Sequence, residues 1–272
     1  MTQGTQCGET AGYQWSRRLA LLLHPLCICA SACAQTPPDD QPSVTPYRPS
    51  VSTPATLSAP GWLELEAGGL RERESGAARR DSVPYTLKLA FTPDWGVRIG
   101  GEAWVNRHDD TGETLSGFGD TAVVLKRRFA VDEGSAFGLE AGAKFPTAQH
   151  GLGSGKADTA LVGIYSADFS AYHTDMNFGL THVGAVDPGA SRVQALGAAS
   201  LSRSFLERWG VVGELSGTHQ RGVESTSQVL VALSYNVAKS LTLDAGVARS
   251  LRSGVSDRSV FAGLTMLGLR LF

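Results

Sequence analysis

The chain has 272 residues, with 24 Lys and Arg against 26 Asp and Glu, so its formal net charge is −2. Because the basic side chains are scattered and offset by carboxylates, nucleic acid is not an expected partner. All four cysteines precede residue 34, which leaves the remaining chain without a disulfide framework or a cysteine metal site.

The N-terminus has the pattern of an export signal. Arg17 and Arg18 form a basic region, an apolar run follows over 19–30, and Ala32-Cys33-Ala34 fits a small-residue cleavage site. We therefore predict a signal peptide over 1–34. A retained membrane anchor is the alternative, but an interrupted run of twelve residues is too short to span a bilayer.

The next segment, 35–60, is rich in proline. It holds seven of the twelve prolines of the chain, and such a composition favours extended chain that forms no core of its own. We predict that 35–60 is a disordered linker on the periplasmic side of the membrane.

From residue 61 onward, short stretches alternate apolar and polar residues. Val229, Val231 and Leu233 share one face of a strand, whereas Gln228 and Ser234 share the other. Strict alternation is typical of a β-strand that separates two media. The expected strands lie near 61–68, 83–92, 96–106, 118–130, 135–145, 158–168, 171–182, 191–203, 209–218, 227–237, 240–249 and 258–272.

The connectors between these strands alternate in length, with five short ones and six longer ones that are richer in Gly, Asp and Arg. This order is typical of an even-stranded barrel with both termini in the periplasm and long loops outside. The fold class predicted for 61–272 is therefore all-β, a transmembrane antiparallel up-and-down β-barrel of about 12 strands in the outer membrane.

If the apolar phase of each strand faces lipid, the opposite phase faces the lumen. Trp104 falls on the inward phase of its strand, and Arg127 falls on the lipid side, where it is tolerated near an interface. Twelve strands lie between the filled interior of eight and the open channel of sixteen, so a narrow lumen is expected. The lumen-lining candidates are Glu102, Asp120, Lys126, Arg128, Glu140, Lys144 and Glu214.

Two interpretations of these charges stay open. They form a structural network of ion pairs that fills the barrel, because unpaired charges in a narrow interior are costly. Alternatively, they set the constriction through which a solute passes. One residue is able to do both.

The chain ends in an amphipathic strand that stops at Phe272. A terminal phenylalanine on such a strand is similar to the signal read by the barrel assembly machinery of the outer membrane. An ordinary edge strand that happens to end there is the alternative.

No catalytic motif is complete, and no cofactor or metal is expected. The segment 150–157 lacks the first glycine and the Ser/Thr of a phosphate-binding loop, and the histidines show no paired metal spacing. A lipid hydrolase in the outer membrane is the alternative enzyme class. Its only loop candidates are His150 with Ser154 and His108 with Ser116.

Several short motifs occur in a fixed order between Pro60 and the C-terminus. They are the opening strand 60–66, the glycine-aspartate motif 117–120 followed by 126–129, the lysine-proline-threonine motif 144–147, the glycine-rich 151–155 followed by Asp158, and 213–215. This order resembles the outer-membrane transporter family described as the MetA-pathway of phenol degradation. The resemblance implies an outer-membrane barrel that passes small, in part hydrophobic, molecules.

Together these observations predict a porin-like channel or transporter of a Gram-negative cell for passive passage of small organic solutes, aromatic or hydrophobic ones included. Its expected partners are outer-membrane lipid, small-molecule solutes and the barrel assembly machinery. The alternatives are the lipid hydrolase and a structural barrel without transport activity.

Overall fold

The computed structural model describes residues 41–73, 78–149, 151–252 and 258–272. The predicted signal peptide, residues 35–40 of the predicted linker, and His150 lie outside these ranges. No helix in the described ranges has the length and apolar character needed to cross a membrane.

The described chain from 62 onward is built from antiparallel strands. They are β1 (Trp62–Arg73), β2 (Arg79–Ala90), β3 (Trp95–His108), β4 (Thr114–Gly117), β5 (Thr121–Ala130), β6 (Ser135–Phe145), β7 (Asp158–Phe169), β8 (Tyr172–His182), β9 (Val193–Phe205), β10 (Trp209–Gln220), β11 (Thr226–Ala238), β12 (Leu241–Ser250) and β13 (Arg258–Arg270).

Each strand pairs with its neighbours in sequence, and β1 pairs with β13, so the sheet closes on itself. The short β4 pairs with β3 alone, which leaves twelve strands around the ring. The predicted fold class, an antiparallel barrel of about 12 strands, is confirmed.

The predicted strand 118–130 is interrupted. β4 pairs with the second half of β3, through Val105 and Gly117, and β5 pairs with the first half, through Gly101 and Thr121. Between them the chain leaves the ladder, and the amide of Gly119 donates to the carbonyl of Glu102 at 3.0 Å.

The two ends of the barrel differ. Five connectors of two to four residues lie at one end, together with Pro60 and the C-terminus, and we call this the turn end. The longer connectors lie at the opposite end, the loop end. The predicted long connector between β1 and β2 is shorter than expected, because both strands continue to Arg73 and from Arg79.

The polarity of the barrel is inverted relative to that of a soluble protein. Inward carboxylates and ammonium groups are buried, with Glu64 at 0% and Lys126 at 2% exposure, whereas outward Phe178 and Leu161 are 62% and 57% exposed. A soluble barrel would bury the second pair and expose the first. The outer wall is therefore suited to an apolar medium.

Aromatic residues gather on the outer wall toward the turn end. Phe137 packs on Tyr165 with ring centroids 5.1 Å apart, and Trp209 packs on Tyr235 at 4.8 Å. The guanidinium of Arg127 lies 4.7 Å from the ring of Trp95 at the start of β3. Such a belt is typical of a lipid–water interface, which accounts for an arginine on the apolar side.

The inward placement predicted for Trp104 is wrong. The register between β2 and β3 shifts between Val83 and Pro84, and one extra residue of β3, Ala103, bulges there. A bulge reverses the side-chain phase beyond it. Trp104 is consequently 42% exposed on the outer wall beside Val83, and Val105 is fully buried.

The prediction of a disordered linker is wrong for 42–60, which we call the luminal segment. It enters the barrel at the turn end, where the amide of Val44 donates to the carbonyl of Lys239 at 2.8 Å. It reaches mid-height near Ser52 and returns to the turn end, where the amide of Gly61 donates to the carbonyl of Ala90. A proline-rich chain forms no core of its own, but here polar side chains of the wall satisfy its backbone.

The luminal segment joins β1 at Gly61, which has a φ of +79°. A Cβ at this position would lie 2.4 Å from the carbonyl oxygen of Phe272. Both the left-handed backbone and the close approach of the C-terminus therefore require glycine here.

Candidate pore interior

A group of six charges, five of them buried and Arg98 partly exposed, lies on the inner wall of β1, β2, β3, β5 and β6. Glu64 and Lys88 are register partners, and the Lys88 Nζ lies 2.5 Å from Glu64 Oε1 and 2.6 Å from Glu66 Oε1. Arg98 and Lys126 both contact Glu140, at 2.7 and 3.2 Å. These six residues, the charged cluster, are three acids and three bases, so the cluster is electrically balanced.

The luminal segment completes the charged cluster. The amides of Thr45 and Tyr47 donate to Glu64 and Glu66 at 3.0 and 2.6 Å, and Lys88 donates to the carbonyl of Thr45. Lys126 donates to the carbonyl of Pro54. Because every charge has an ionic partner, and the two lysines and three glutamates have further hydrogen bonds, burial of the cluster is tolerated.

The ring of Tyr47 lies between the two ammonium groups of the cluster. The Nζ atoms of Lys88 and Lys126 are 4.0 and 4.3 Å from its centroid. The Tyr47 hydroxyl donates to the carbonyl of Thr56 at 2.7 Å and accepts from Lys126 at 3.2 Å. One buried aromatic side chain thus fixes the segment against two strands through cation–π contacts.

Outside the charged cluster, an ion pair joins Arg48 of the luminal segment to Asp244 on β12, with two nitrogen–oxygen distances of 3.1 Å. The guanidinium passes over Gly68 and Gly263, where an added Cβ would lie 2.6 Å from it. The absence of side chains at these two wall positions makes room for the arginine.

Glu214 holds the tip of the segment, residues 50–53. Its carboxylate accepts from the amides of Val51 and Ser52, at 3.1 and 2.8 Å, and from the Ser52 hydroxyl at 2.7 Å. The tip is also held by Asn177 on β8, because the amide of Thr53 donates to its side-chain oxygen at 2.6 Å and the Asn177 amide donates back to the Thr53 carbonyl at 3.0 Å.

The descending part of the segment meets β7 and β8. The amide of Ala55 donates to the hydroxyl of Ser166 at 2.8 Å, and Ser166 donates to Asp175 at 2.5 Å. The imidazole of His173 contacts Asp175 and Asp168 at 3.1 and 2.5 Å. A chain of hydrogen bonds therefore runs from the segment to the rim at the turn end.

Two further ion-pair groups lie toward the loop end. Lys144 contacts Asp120 at 3.2 Å and Asp158 at 2.8 Å, and it donates to the Ser154 hydroxyl. Glu102 forms a bidentate pair with Arg80 at 2.6 and 2.5 Å, a geometry that orients both side chains.

The seven predicted lumen-lining residues therefore do not form one group, but lie at different heights of the barrel interior. Lys126 and Glu140 meet in the charged cluster, Glu214 lies alone at mid-height, and Arg128 lies near the turn end, 4.0 Å from Asp94. The remaining three, Glu102, Asp120 and Lys144, belong to the two loop-end groups. Their contribution to solute passage stays a prediction.

Sequence reasoning missed the luminal segment and with it Tyr47 and Arg48. A signal was present in the strand register. Asp244 has Ser234 and Gly263 as its lateral neighbours, and Glu214 has Ser200 and Leu230. Neither inward carboxylate has a cation beside it, so a partner from outside the wall was needed.

Two cavities remain beside the luminal segment. The turn-end cavity, of about 360 Å³, lies between the segment and the wall of β8 to β12. The loop-end cavity, of about 220 Å³, is lined by Val51 of the tip and by β9 to β12.

The histidines give no metal site, since the described ranges contain no group of three His, Cys, Asp or Glu able to hold an ion. His108 contacts Thr114 rather than Ser116, with a distance of 2.8 Å. A hydroxyl–imidazole pair that the sequence did not suggest joins Ser225 and His219 Nδ1 at 2.8 Å, exposed at the loop end.

No protein-family profile matches the chain, and no curated protein matches it in sequence. Solved structures do match its fold. The COG4313 outer membrane channel from Pseudomonas putida F1 superposes with a TM-score of 0.63 and 11% identity, over 79% of this chain and 98% of that one. The NanC porin gives 0.54 and 9%, over 75% and 98%, and the KdgM porin gives 0.51 and 11%, over 74% and 98%.

Proposed function

We propose that this protein is an outer-membrane channel for passive, selective passage of small organic solutes in a Gram-negative cell. The observation that carries the proposal is the inverted polarity of the closed barrel, with Leu and Phe outside and paired charges inside. Closure pairs each of the twelve ring strands on both edges, which a sheet in lipid requires. The likeness to the COG4313 channel and to two porins supports the fold on which the proposal rests.

The turn end faces the periplasm in this proposal. Both ends of the barrel chain emerge there, and the export signal predicted over 1–34 delivers the chain to that side. Outer-membrane barrels have short periplasmic turns and longer outer loops, which matches the two ends observed.

The luminal segment narrows the passage. It occupies the centre of a ring that is already narrow at twelve strands, and it is held there by the charged cluster, Asp244 and Glu214. In this assignment the predicted lumen residues Lys126, Glu140 and Glu214 act at the constriction. Glu102, Asp120 and Lys144 act at the outer mouth and Arg128 acts at the periplasmic mouth.

We also propose kinship with the transporter family described as the MetA-pathway of phenol degradation. The motifs that carry the resemblance meet in space, since Asp120 and Asp158 both contact Lys144 of the lysine-proline-threonine motif. Thr147 of that motif accepts from the Thr121 amide at 2.9 Å. We expect Asp120, Lys144 and Asp158 to vary together among relatives, and independent variation would remove this support.

The C-terminal strand is proposed to engage the barrel assembly machinery. Phe272 is 60% exposed, and the Leu271 amide donates to the Gly61 carbonyl at 2.7 Å. The C-terminal residue therefore lies at the turn end, beside the place where β1 and β13 pair. Deletion of Phe272 is expected to lower the amount of folded barrel in the outer membrane, measured by heat-modifiable migration on gels. Equal folding in cells would sink this part of the proposal.

The direct test of transport is osmotic swelling of liposomes that contain the folded barrel, with a panel of sugars, amino acids and aromatic acids. We expect swelling with the smallest solutes and a low conductance in planar bilayers. Liposomes that swell no faster than protein-free ones with every solute would overturn the channel assignment.

One observation favours a second function, the lipid hydrolase. The hydroxyl of Ser225 lies against His219 at the outer rim, where a nucleophile and base would meet lipid. The described ranges give the second ring nitrogen of His219 no hydrogen-bond partner, whereas a triad needs an orienting group. This alternative predicts phospholipid hydrolysis that is lost in His219→Ala, and a structural barrel predicts neither hydrolysis nor swelling.

A further inference from the structure

The luminal segment divides the interior into two unlike sides. Toward β1 to β6 it is tied to the charged cluster by hydrogen bonds and by the Tyr47 ring. Toward β8 to β12 the two cavities remain, one on either side of the tip at 50–53. The second side therefore holds two separate spaces, and the contacts of the tip with Asn177 and Glu214 lie between them.

The wall of both cavities is lined by neutral hydrogen-bonding groups. Because inward residues alternate along a strand, β11 and β12 contribute such groups to both cavities, whereas β9 contributes them to the turn-end cavity and β10 to the loop-end cavity. The turn-end cavity has Ser200, Ser202, Ser204, Ser234, Asn236 and Thr242. The loop-end cavity has Ser216, Thr218, Thr226, Gln228 and Ser250.

The charges beside this track largely cancel. Arg48 is paired with Asp244, and His173 lies between two aspartates. Arg203 also borders the turn-end cavity, and its guanidinium lies 5.3 Å from the ring of Tyr172. At the loop-end cavity Glu224 and Arg252 supply one charge of each sign. Selectivity for ions needs an excess of one sign along the whole path, whereas the described lining residues add only the guanidinium of Arg203, near the rim of the turn end.

The barrier between the cavities is short. On β10, Val212 lines the turn-end cavity and Ser216 lines the loop-end cavity. Glu214 is the one inward-facing residue of β10 between these two, and it is bonded to Ser52 of the tip. Beside it on β11, Leu230 and Ala232 pack in a small apolar cluster. Displacement of the tip from Glu214 would join the two cavities.

We propose that small neutral polyhydroxyl solutes, such as glycerol and pentoses, cross the barrel along this hydroxyl-lined track between the tip and the wall of β9 to β12. The inference rests on the channel function proposed above and names its solute class. Serine, threonine and amide groups of the wall replace the hydration shell of solute hydroxyls. The ring of an aromatic solute would leave these wall groups without hydrogen-bond partners. Of the described residues that line either cavity, Tyr47 alone is aromatic, and its ring is already covered by two lysines.

The solute test compares arabinose with phenylalanine, two compounds of similar size, in liposomes that contain the full mature protein. We expect arabinose to cause swelling at a higher rate. If phenylalanine enters at an equal or higher rate, the solute class is wrong while the channel function stands. If neither enters and glycerol also fails, the channel function itself falls.

The location of the track is tested with a matched pair on β11. Ser234 faces the turn-end cavity, and its neighbour Leu233 is 46% exposed on the outer wall. In the folded protein, Ser234→Cys is expected to react with a water-soluble methanethiosulfonate reagent and then to lose arabinose uptake to the level of protein-free liposomes. Leu233→Cys is expected to keep its uptake.

Because the label is added after folding, failed assembly does not imitate the result. Ser216→Cys, in the loop-end cavity, is expected to behave like Ser234→Cys, with Leu215→Cys as its outward control. Arabinose uptake that survives labelling at both inward positions would place the path elsewhere and overturn the inference.

Discussion

Lys126 and Arg128 lie two residues apart on the inner phase of β5, yet their surroundings differ. Lys126 is 2% exposed and contacts Glu140, the Tyr47 hydroxyl and the Pro54 carbonyl. The Arg128 side chain is 26% exposed and lies 4.0 Å from Asp94. Sequence alternation predicted the shared phase of the two residues. Their surroundings differ because of the luminal segment, and the alternation pattern of the strands carries no information about that segment.

Replacement of Lys126 by Ala is expected to raise single-channel conductance in planar bilayers. It removes one of the two cations at Glu140 and two contacts to the segment, and loss of one partner of a buried pair costs about 3–5 kcal/mol. Arg128→Ala is expected to change ion selectivity slightly and leave barrel stability within about 1 kcal/mol, because exposed pairs contribute little. Equal effects of the two substitutions would contradict the assigned environments.

Glu214→Gln tests the anchor of the tip. Three donors converge on the two carboxylate oxygens, and an amide presents a donor in place of one acceptor. Hydrogen bonds to a charged group contribute about 1.5–3 kcal/mol each, so we expect a looser tip and more frequent openings in current recordings. Glu207→Gln, in an exposed turn, is the matched control, and openings as rare as in the control would count against the anchor.

At the scale of elements, the strands and the segment followed from different information. Alternation located the strands to within a few residues, since each strand separates two media along its whole length. The luminal segment has no periodicity, because its partners are Glu66, Asp244 and Glu214 of distant strands. Its proline content predicted a chain with no core of its own, but gave no information on where that chain lies.

Removal of the segment, residues 42–58, is expected to raise conductance and to lower the temperature of thermal unfolding. The lumen widens, and the carboxylates of Asp244 and Glu214 lose the donors that the segment supplies. A variant in which 42–58 is replaced by a Gly/Ser chain of the same length keeps the volume but not the contacts. We expect it to give a fluctuating current, and a steady wild-type current from either variant would show that the segment does not limit flow.

At the scale of the whole molecule, the inverted polarity gives a depth-dependent cost for charge on the outer wall. Val231 lies at the middle of β11, and Val237 lies near its turn end, both facing outward. In lipid, Val231→Arg is expected to destabilise the barrel by about 2–4 kcal/mol, and Val237→Arg by about 0–1 kcal/mol. Unfolding by denaturant from lipid vesicles measures both, and two values near zero would mean that water surrounds the wall.

The path of the luminal segment also bears on the order of assembly. Residues 42–60 enter and leave through the same opening, at Val44 and at Gly61. A hairpin-like insertion of this kind requires no chain terminus to be threaded through a closed ring. The path of the segment therefore allows the barrel to close before residues 42–60 enter it. A closed barrel with an unfilled lumen is compatible with this path as a folding intermediate.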